Sequence, residues 1–322
     1  MCLTYLKDGT YDVRGTVRDP SNAAKLAPLK KAYGDELFGK IEIVAADLLD
    51  ADSLDRAIAG CDYVVHTASP LPIKQPDDES VLIKPAVEGT LAVLKGALKH
   101  KVKRVVVTSS GLTVGMKKPE NAKPKYNEDD WSDLDALMPY EKSKWLAEKA
   151  AWDFVQNLPD GSNLELVVCI PGLVQGPALI QSDFSSSNYM KTMMLGFLPA
   201  FPRISFPIVD VRDVAQGHLQ AIKVAEAANK RIILIEGTYR WKDLSEQLRA
   251  HFGDVYPFKT EEMAECPPGN LRFQVMWEKR SEFDNSRSKT VLGIQYHDIK
   301  DTLVSMATQM IDDGVLPDNR KK

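Results

Sequence analysis

No apolar run in this 322-residue sequence approaches the roughly 18 residues that cross a bilayer. No basic segment followed by an apolar core stands at the N-terminus, so a signal peptide is not expected and the chain reads as cytoplasmic. The four cysteines, Cys2, Cys61, Cys169 and Cys266, lie far apart with no Cys-x-x-Cys pair, which points to reduced structural thiols. Five scattered histidines offer no metal-ligand spacing, and no metal is expected. A net charge of −4 gives no footing for nucleic acid or an anionic membrane as partner. No internal repeat or low-complexity segment stands out.

What is present is ordinary for a globular protein: 44% apolar and 27% charged residues, with length for one large or two medium domains. Short apolar runs alternate with helical patterns, which predicts parallel strands joined by helices. Strands are expected at Asp12–Val17, Ile41–Ala45, Tyr63–His66, Val105–Thr108 and Leu164–Ile170. Helices are expected at about Asp52–Ala59, Glu79–His100 and Tyr140–Leu158, with Asp52-Ser53 as a start signal and Gly60 as a stop. After Pro171 the pattern loosens around Pro177, Pro199, Pro202 and Pro207. Later helices (Val211–Ala228, Trp241–Phe252, Ile299–Asp313) alternate with brief strands such as Ile232–Ile235. The expected organisation is a main domain over residues 1–170 and a smaller, partly interleaved one over 171–322, some of whose elements return to the main sheet.

Chemistry concentrates at Tyr140-Glu-Lys-Ser-Lys144, 30 residues beyond Ser110 at the end of the apolar run Val105-Val106-Val107. If Tyr140 opens a helix, Lys144 sits one turn on along the same face. An ammonium beside a phenol favours the phenolate and would bring its pKa down towards neutrality. The Ser110 hydroxyl can hold a carbonyl oxygen where negative charge develops. Tyr296-His-Asp-Ile-Lys300 has the same spacing but follows no strand ending in serines, so a packing or surface role is expected of it.

Ligands of such sheets bind beyond the carboxyl ends of the strands, which here carry Arg18, Asp47, His66-Thr67-Ala68, Ser109-Ser110 and Pro171-Gly172. An Arg after the first strand suits the 2′-phosphate of NADP, where a carboxylate would suit the 2′-hydroxyl of NAD. Arg18, with Lys25 about a turn further on, therefore predicts NADP(H), although Asp19 is also within reach. Asp47 can accept from the adenine amine or simply shape a turn. Thr67, Ala68 and Ser69 are small enough for close approach to phosphates and ribose, and His66 is as readily a packed core residue.

Several segments taken in order make the chain similar to the extended short-chain dehydrogenases/reductases of the NAD-dependent epimerase/dehydratase superfamily. The closer resemblance is to their dihydroflavonol reductase/anthocyanidin reductase-like branch. They are 13–20 (Val-Arg-Gly-Thr-Val-Arg-Asp-Pro), Ala46-Asp47-Leu48, 64–70 (Val-Val-His-Thr-Ala-Ser-Pro), 85–90 (Pro-Ala-Val-Glu-Gly-Thr), Val107-Thr108-Ser109-Ser110, Tyr140 to Lys144, 171–177 and 209–215. The resemblance implies an α/β fold: a Rossmann-type doubly wound parallel sheet with a smaller C-terminal substrate domain. It further implies that Tyr140 protonates the substrate oxygen, Lys144 binds the nicotinamide ribose, and Ser110 orients the carbonyl. Arg18 and Lys25 would bind the 2′-phosphate, Asp47 and Leu48 would frame the adenine, and Thr67, Ser69 and Ser109 would line the cofactor path. Pro171, Gly172 and Val174 would wall the nicotinamide, with Ser187 nearby.

The departure from the family is the glycine-rich turn. Residues 1–9 resemble only the tail of the helix that should follow Gly-x-x-Gly-x-x-Gly/Ala, so roughly 15 to 20 residues of strand, loop and helix are expected upstream of an incomplete sequence. A shortened isoform that binds NADP weakly is the other reading. That absent strand is expected between Asp12–Val17 and Tyr63–His66. The expected function is NADPH-dependent reduction of a ketone or aldehyde, with a small-molecule carbonyl or alcohol as partner and a monomer or homodimer as the acting form. The alternatives are a truncated or non-catalytic nucleotide sensor, a hydroxysteroid dehydrogenase, and a sugar-nucleotide epimerase/dehydratase using Arg203 and Arg212 as a diphosphate grip. The run Met190, Met193, Met194, Leu195, Phe197, Leu198 and Phe201 is expected to line an apolar pocket or to pack as core.

Overall fold

The computed structural model describes residues 1–70, 76–180, 185–269 and 271–321. The first half runs α1 (Cys2–Asp8), β1 (Val13–Val17), α2 (Ala23–Phe38), β2 (Ile41–Ala45), α3 (Ala51–Ile58), β3 (Tyr63–His66), α4 (Ser80–Lys99) and β4 (Arg104–Thr108). There follow β5 (Lys125–Tyr126), α5 (Pro139–Gln156), β6 (Glu165–Pro171), β7 (Leu173–Gln175), α6 (Ser185–Leu195), β8 (Ser205–Asp210), α7 (Val211–Lys223) and β9 (Lys230–Leu234). The chain ends with β10 (Gly237–Arg240), α8 (Trp241–Phe252), α9 (Leu271–Met276), β11 (Glu282–Phe283), α10 (Ser286–Val291) and α11 (Ile299–Asp312).

The main sheet is all-parallel in the order β3-β4-β6-β9. Its strands are near-continuous apolar runs because both faces are covered. Val105, Val107, Leu166 and Val168 pack on one face with Val93 and Leu94 of α4 and Ala151 of α5. Val106, Val167 and Cys169 pack on the other with Leu219 and Ile222 of α7 and Tyr5 of α1. This is the doubly wound arrangement expected. Arg104, buried in the first position of β4, donates to the carbonyls of Ala221 (2.7 Å) and Val224 (2.6 Å) and pairs with Glu165. A cation there satisfies the orphan carbonyls at the end of α7.

β1 and β2 pair with each other, in parallel, as a separate two-stranded sheet. Side chains bridge the break to β3: Tyr11 stacks edge-on against Tyr63 with centroids 5.7 Å apart, and Arg14 Nη1 donates to the carbonyls of Ala57 and Ala59 at 3.0 and 2.7 Å. Both flanking strands are only half-buried, unlike β4 and β6.

A third sheet, β10-β8-β7, carries α6, α8 and α11 around a second core containing Met190, Met193, Met194, Phe201, Trp241, Leu303 and Met310. The methionine-rich run is therefore core, not pocket wall; beside it remains a cavity of about 10 Å³, too small for a ligand. Only Phe197 of that run is exposed. α2 was not expected, because Pro28 lies inside it, Gly34 (φ 76°) breaks its geometry and it buries no residue. The α3 cap is Asp50, whose side chain accepts from the Asp52 and Ser53 amides, two residues before the expected start. Gly60 does follow that helix in the left-handed region, φ 78°.

The chain crosses from β6 to β7 through Gly172, where an added Cβ would lie 2.4 Å from the Pro207 carbonyl oxygen of β8. Backbone cannot yield there as a side chain can, so Gly172→Ala is expected to destabilise by about 1–3 kcal/mol. Denaturant unfolding of the two proteins checks this; equal midpoints would contradict it.

Candidate active site

α5 starts at Pro139, whose missing N–H has no helical partner at that position, and the Glu141 carboxylate accepts the Met138 amide at 2.9 Å. This start places Tyr140 in the first turn and Lys144 one turn on. Lys144 is 8% exposed, and its Nζ donates to the carbonyl oxygen of Thr108, the last residue of β4, at 3.0 Å. Burial lowers its pKa from 10.5 to about 8, against the opposing pull of Glu148 one further turn along. At neutral pH it is an ammonium with two more donors to offer.

Burial raises the Tyr140 pKa, with the Arg272 guanidinium working against the rise. The expected lowering by Lys144 is therefore not realised. Desolvation outweighs the nearby charge, and the phenol stays protonated, which is the form a proton donor needs. Arg272 pairs with the buried Glu141 at 2.6 Å, so α9 reaches over the start of α5.

Ser110, extended at φ −156°, caps the turn 111–113 by accepting the Leu112 amide at 3.2 Å. Ser109 is 4% exposed and donates its hydroxyl to Glu148. The hydroxyl this strand end presents to the site is thus that of Ser110.

At the far end, Arg18 and Lys25 are exposed after β1 and on the first turn of α2, whose cap Asn22 accepts the Lys25 amide. Asp19 does not compete with them: its carboxylate accepts the Ser21 amide and hydroxyl at 2.9 and 2.6 Å, which hold its pKa down. The Asp47 carboxylate accepts the Leu49 amide at 2.9 Å, the turn-shaping role, and Leu48 packs so closely on Gly89 that a Cβ there would meet its Cδ1 at 2.2 Å. After β3, Thr67 is exposed, and the Ser69 hydroxyl oxygen is buried with no hydrogen-bond partner among the described residues. A buried hydroxyl without a partner fits a polar ligand. Pro171 is buried at the end of β6, Gly172 and Val174 are half-buried, and Ser187 is buried on α6. Cations at one end, the orphan Ser69 in the middle and the Lys144 ammonium at the other fit a dinucleotide carrying a 2′-phosphate. No glycine-rich turn stands between them among the described residues.

Tyr296, the other Tyr-x-x-x-Lys match, shares a 2.7 Å hydrogen bond with Ser288, and Lys300 is exposed on α11. Arg203 and Arg212 are paired with Glu278 (2.7 Å) and Asp210 (2.6 Å), so neither offers an uncompensated grip on a diphosphate. Glu148, His218 and Arg272 escaped the sequence reading, and Thr108 was read only as a strand end. Only Glu148 had a signal, a charge eight residues after Tyr140 on the face that carries Lys144.

Two buried histidines back this site. His66 lies 3.4 Å from the Thr90 hydroxyl. His218 faces the Val214 carbonyl through Nδ1, so Nδ1 carries the proton and Nε2 accepts from the Thr108 hydroxyl at 2.8 Å. Burial lowers both from 6.5 to about 4. Above pH 6.5 they are neutral folded or unfolded; between there and 4 only the unfolded chain takes up the protons. Stability is therefore expected to fall as pH drops through that window, by up to about 1.4 kcal/mol per pH unit for each histidine. Denaturation at pH 7 and pH 5 checks this, with His218→Gln showing the smaller loss; equal losses in both proteins would refute it.

The model of the NAD dependent epimerase/dehydratase family matches residues 1–235. Anthocyanidin reductase of Arabidopsis thaliana is 35% identical over 246 residues, 71% of this chain and 70% of that protein. Cinnamoyl-CoA reductase 2 of the same plant is 33% identical over 95% of this chain and 87% of its own length. Among solved structures, yeast methylglyoxal/isovaleraldehyde reductase complexed with NADPH superposes with a TM-score of 0.78 at 26% identity, covering 98% of this chain and 95% of that one. No helix among the described residues is long and apolar enough to cross a membrane. The matched family model and the similarity to these reductases lead to one assignment: the chain belongs to the NAD dependent epimerase/dehydratase family.

Proposed function

We propose that this chain is an NADP(H)-dependent oxidoreductase that reduces a ketone or aldehyde to the alcohol. The observation that carries the reading is the buried Lys144 ammonium one turn from a phenol that burial keeps protonated, beside Ser110 at the end of β4. Relatives named as reductases, one of them solved with NADPH, support it. Residues 1–170 serve as the cofactor-binding unit and 171–322 as the substrate-binding unit, with α7 and β9 returning to the main sheet.

NADPH supplies the hydride when bound. Tyr140 donates its proton to the carbonyl oxygen as negative charge builds there, and Ser110 donates a hydrogen bond to the same atom. Lys144 holds the nicotinamide ribose, keeping its ammonium beside the phenolate that Tyr140 leaves. Arg18 and Lys25 bind the 2′-phosphate; Asp47, Leu48, Thr67 and Ser69 line the path; Pro171, Gly172, Val174 and Ser187 wall the nicotinamide end. The paired state of Arg203 and Arg212 speaks against a sugar nucleotide.

Tyr140→Phe is expected to lower turnover of a carbonyl panel by about 10²- to 10⁴-fold while leaving NADPH binding intact. Wild-type turnover should fall as pH rises through about 8, where Lys144 loses its proton. Arg18→Ala should weaken NADPH binding and leave NADH binding unchanged. Full turnover in Tyr140→Phe would overturn the reading, and NADPH binding without turnover of any carbonyl would favour a nucleotide sensor.

A further inference from the structure

A buried polar assembly centred on Glu148 lies directly behind the residues given roles above. This carboxylate is 1% exposed, one turn beyond Lys144 and two beyond Tyr140 on the same side of α5. Its Oε2 accepts from the Ser109 hydroxyl and from the Thr113 hydroxyl at 3.0 Å, and its Oε1 from Arg231 Nε at 2.6 Å and Trp152 Nε1 at 3.4 Å. Thr113 Oγ1 also lies 2.8 Å from the Ser110 carbonyl oxygen, so the contact runs on to the residue that orients the substrate. Arg231, in β9, is 8% exposed and donates through Nη1 to the carbonyls of Glu128 and Asp130 while its guanidinium stacks 3.8 Å over the Trp131 ring.

We propose that Glu148 is a positioning residue for the reduction, fixing the Ser110 turn and the Tyr140–Lys144 face of α5 in one register with Arg231 of β9 as its anchor. This rests on the reading of Tyr140, Lys144 and Ser110 given above. A buried ion pair is a poor device for stability alone, since well-packed apolar residues of similar volume serve as well or better. What the carboxylate provides that apolar residues cannot is direction: it ties the strand-end serine, the turn that follows and the catalytic helix to one point. A misplacement of about 1 Å among reacting groups costs on the order of 10²-fold in rate. Glu148 also acts on charge. The titratable groups around Lys144 are Glu148 and Tyr140 on α5, His66 of β3 and His218 of α7; both histidines are neutral near pH 7, so Glu148 supplies the negative charge that favours the ammonium.

The test is the double variant Glu148→Leu/Arg231→Met, which removes both charges of the pair together so that neither partner is left as an unpaired buried ion, assayed beside Tyr140→Phe. The expected result is a folded protein with near wild-type melting temperature and NADPH KM. Its kcat should be lower by about 10- to 100-fold, and the basic limb of its pH profile should lie at lower pH. A folded double variant with wild-type kcat and an unmoved limb overturns the proposal. If the double variant does not fold, Thr113→Val, which keeps the side-chain shape, decides: reduced kcat at unchanged melting temperature supports the proposal, and unchanged kcat overturns it. Turnover surviving in Tyr140→Phe would instead remove the catalytic reading itself, and the positioning role with it.

Discussion

An ammonium held out of water sets the terms for this molecule. The 3.0 Å hydrogen bond from Lys144 to the Thr108 carbonyl joins the middle of the fold, the end of β4, to the first turns of α5. Burying that charge is unfavourable, as its lowered pKa records, and the surroundings offset the penalty only in part through Glu148. A site that disfavours its own lysine cation is poised to gain from a ligand that hydrogen-bonds it, which is the logic of strain kept at a place where binding relieves it.

The layers around this point divide the work. The parallel sheet, with apolar residues on both faces, aligns the ends of β3, β4 and β6, so that Thr67, Ser110 and Pro171 fall along one edge. The second core, built on α6, α8 and α11, supports the smaller sheet that β7 enters through Gly172. Between β1 and β3 no ladder forms, and continuity is carried by Tyr11 on Tyr63 and by Arg14 on two carbonyls. Side-chain contacts of this kind hold position without burying the strands, which is why β1 and β3 stay half-exposed while β4 and β6 do not.

The central strands of the main sheet were legible because a doubly buried strand leaves an unmistakable apolar run: Arg104–Thr108 and Glu165–Pro171 stand within one residue of where the sequence placed them. That Lys144 lies one turn beyond Tyr140 was legible because the spacing falls within a single helix. Less was readable where the decisive contact is non-local. Glu148 meets Arg231 across 83 positions, and Arg272 meets Glu141 across most of the second half of the chain; neither pairing has a periodic signature. α2 hid behind Pro28 and Gly34 because it packs too little to need a strong apolar stripe. The methionine-rich segment was left open between pocket and core, since composition alone does not separate the two, and it packs as core. The direction of the Tyr140 shift was misjudged for a related reason: burial is a property of the fold, and it outweighs the opposing Arg272 guanidinium, which no local spacing announces.

The most direct measurement is the titration of Lys144 itself by isotope-edited NMR of its ε-methylene group in the folded protein, assigned by comparison with Lys144→Met. A midpoint near 8 is the predicted result and would place a desolvated ammonium at the centre of the site. A midpoint at the ordinary lysine value of about 10.4 would show a solvated side chain and contradict the account.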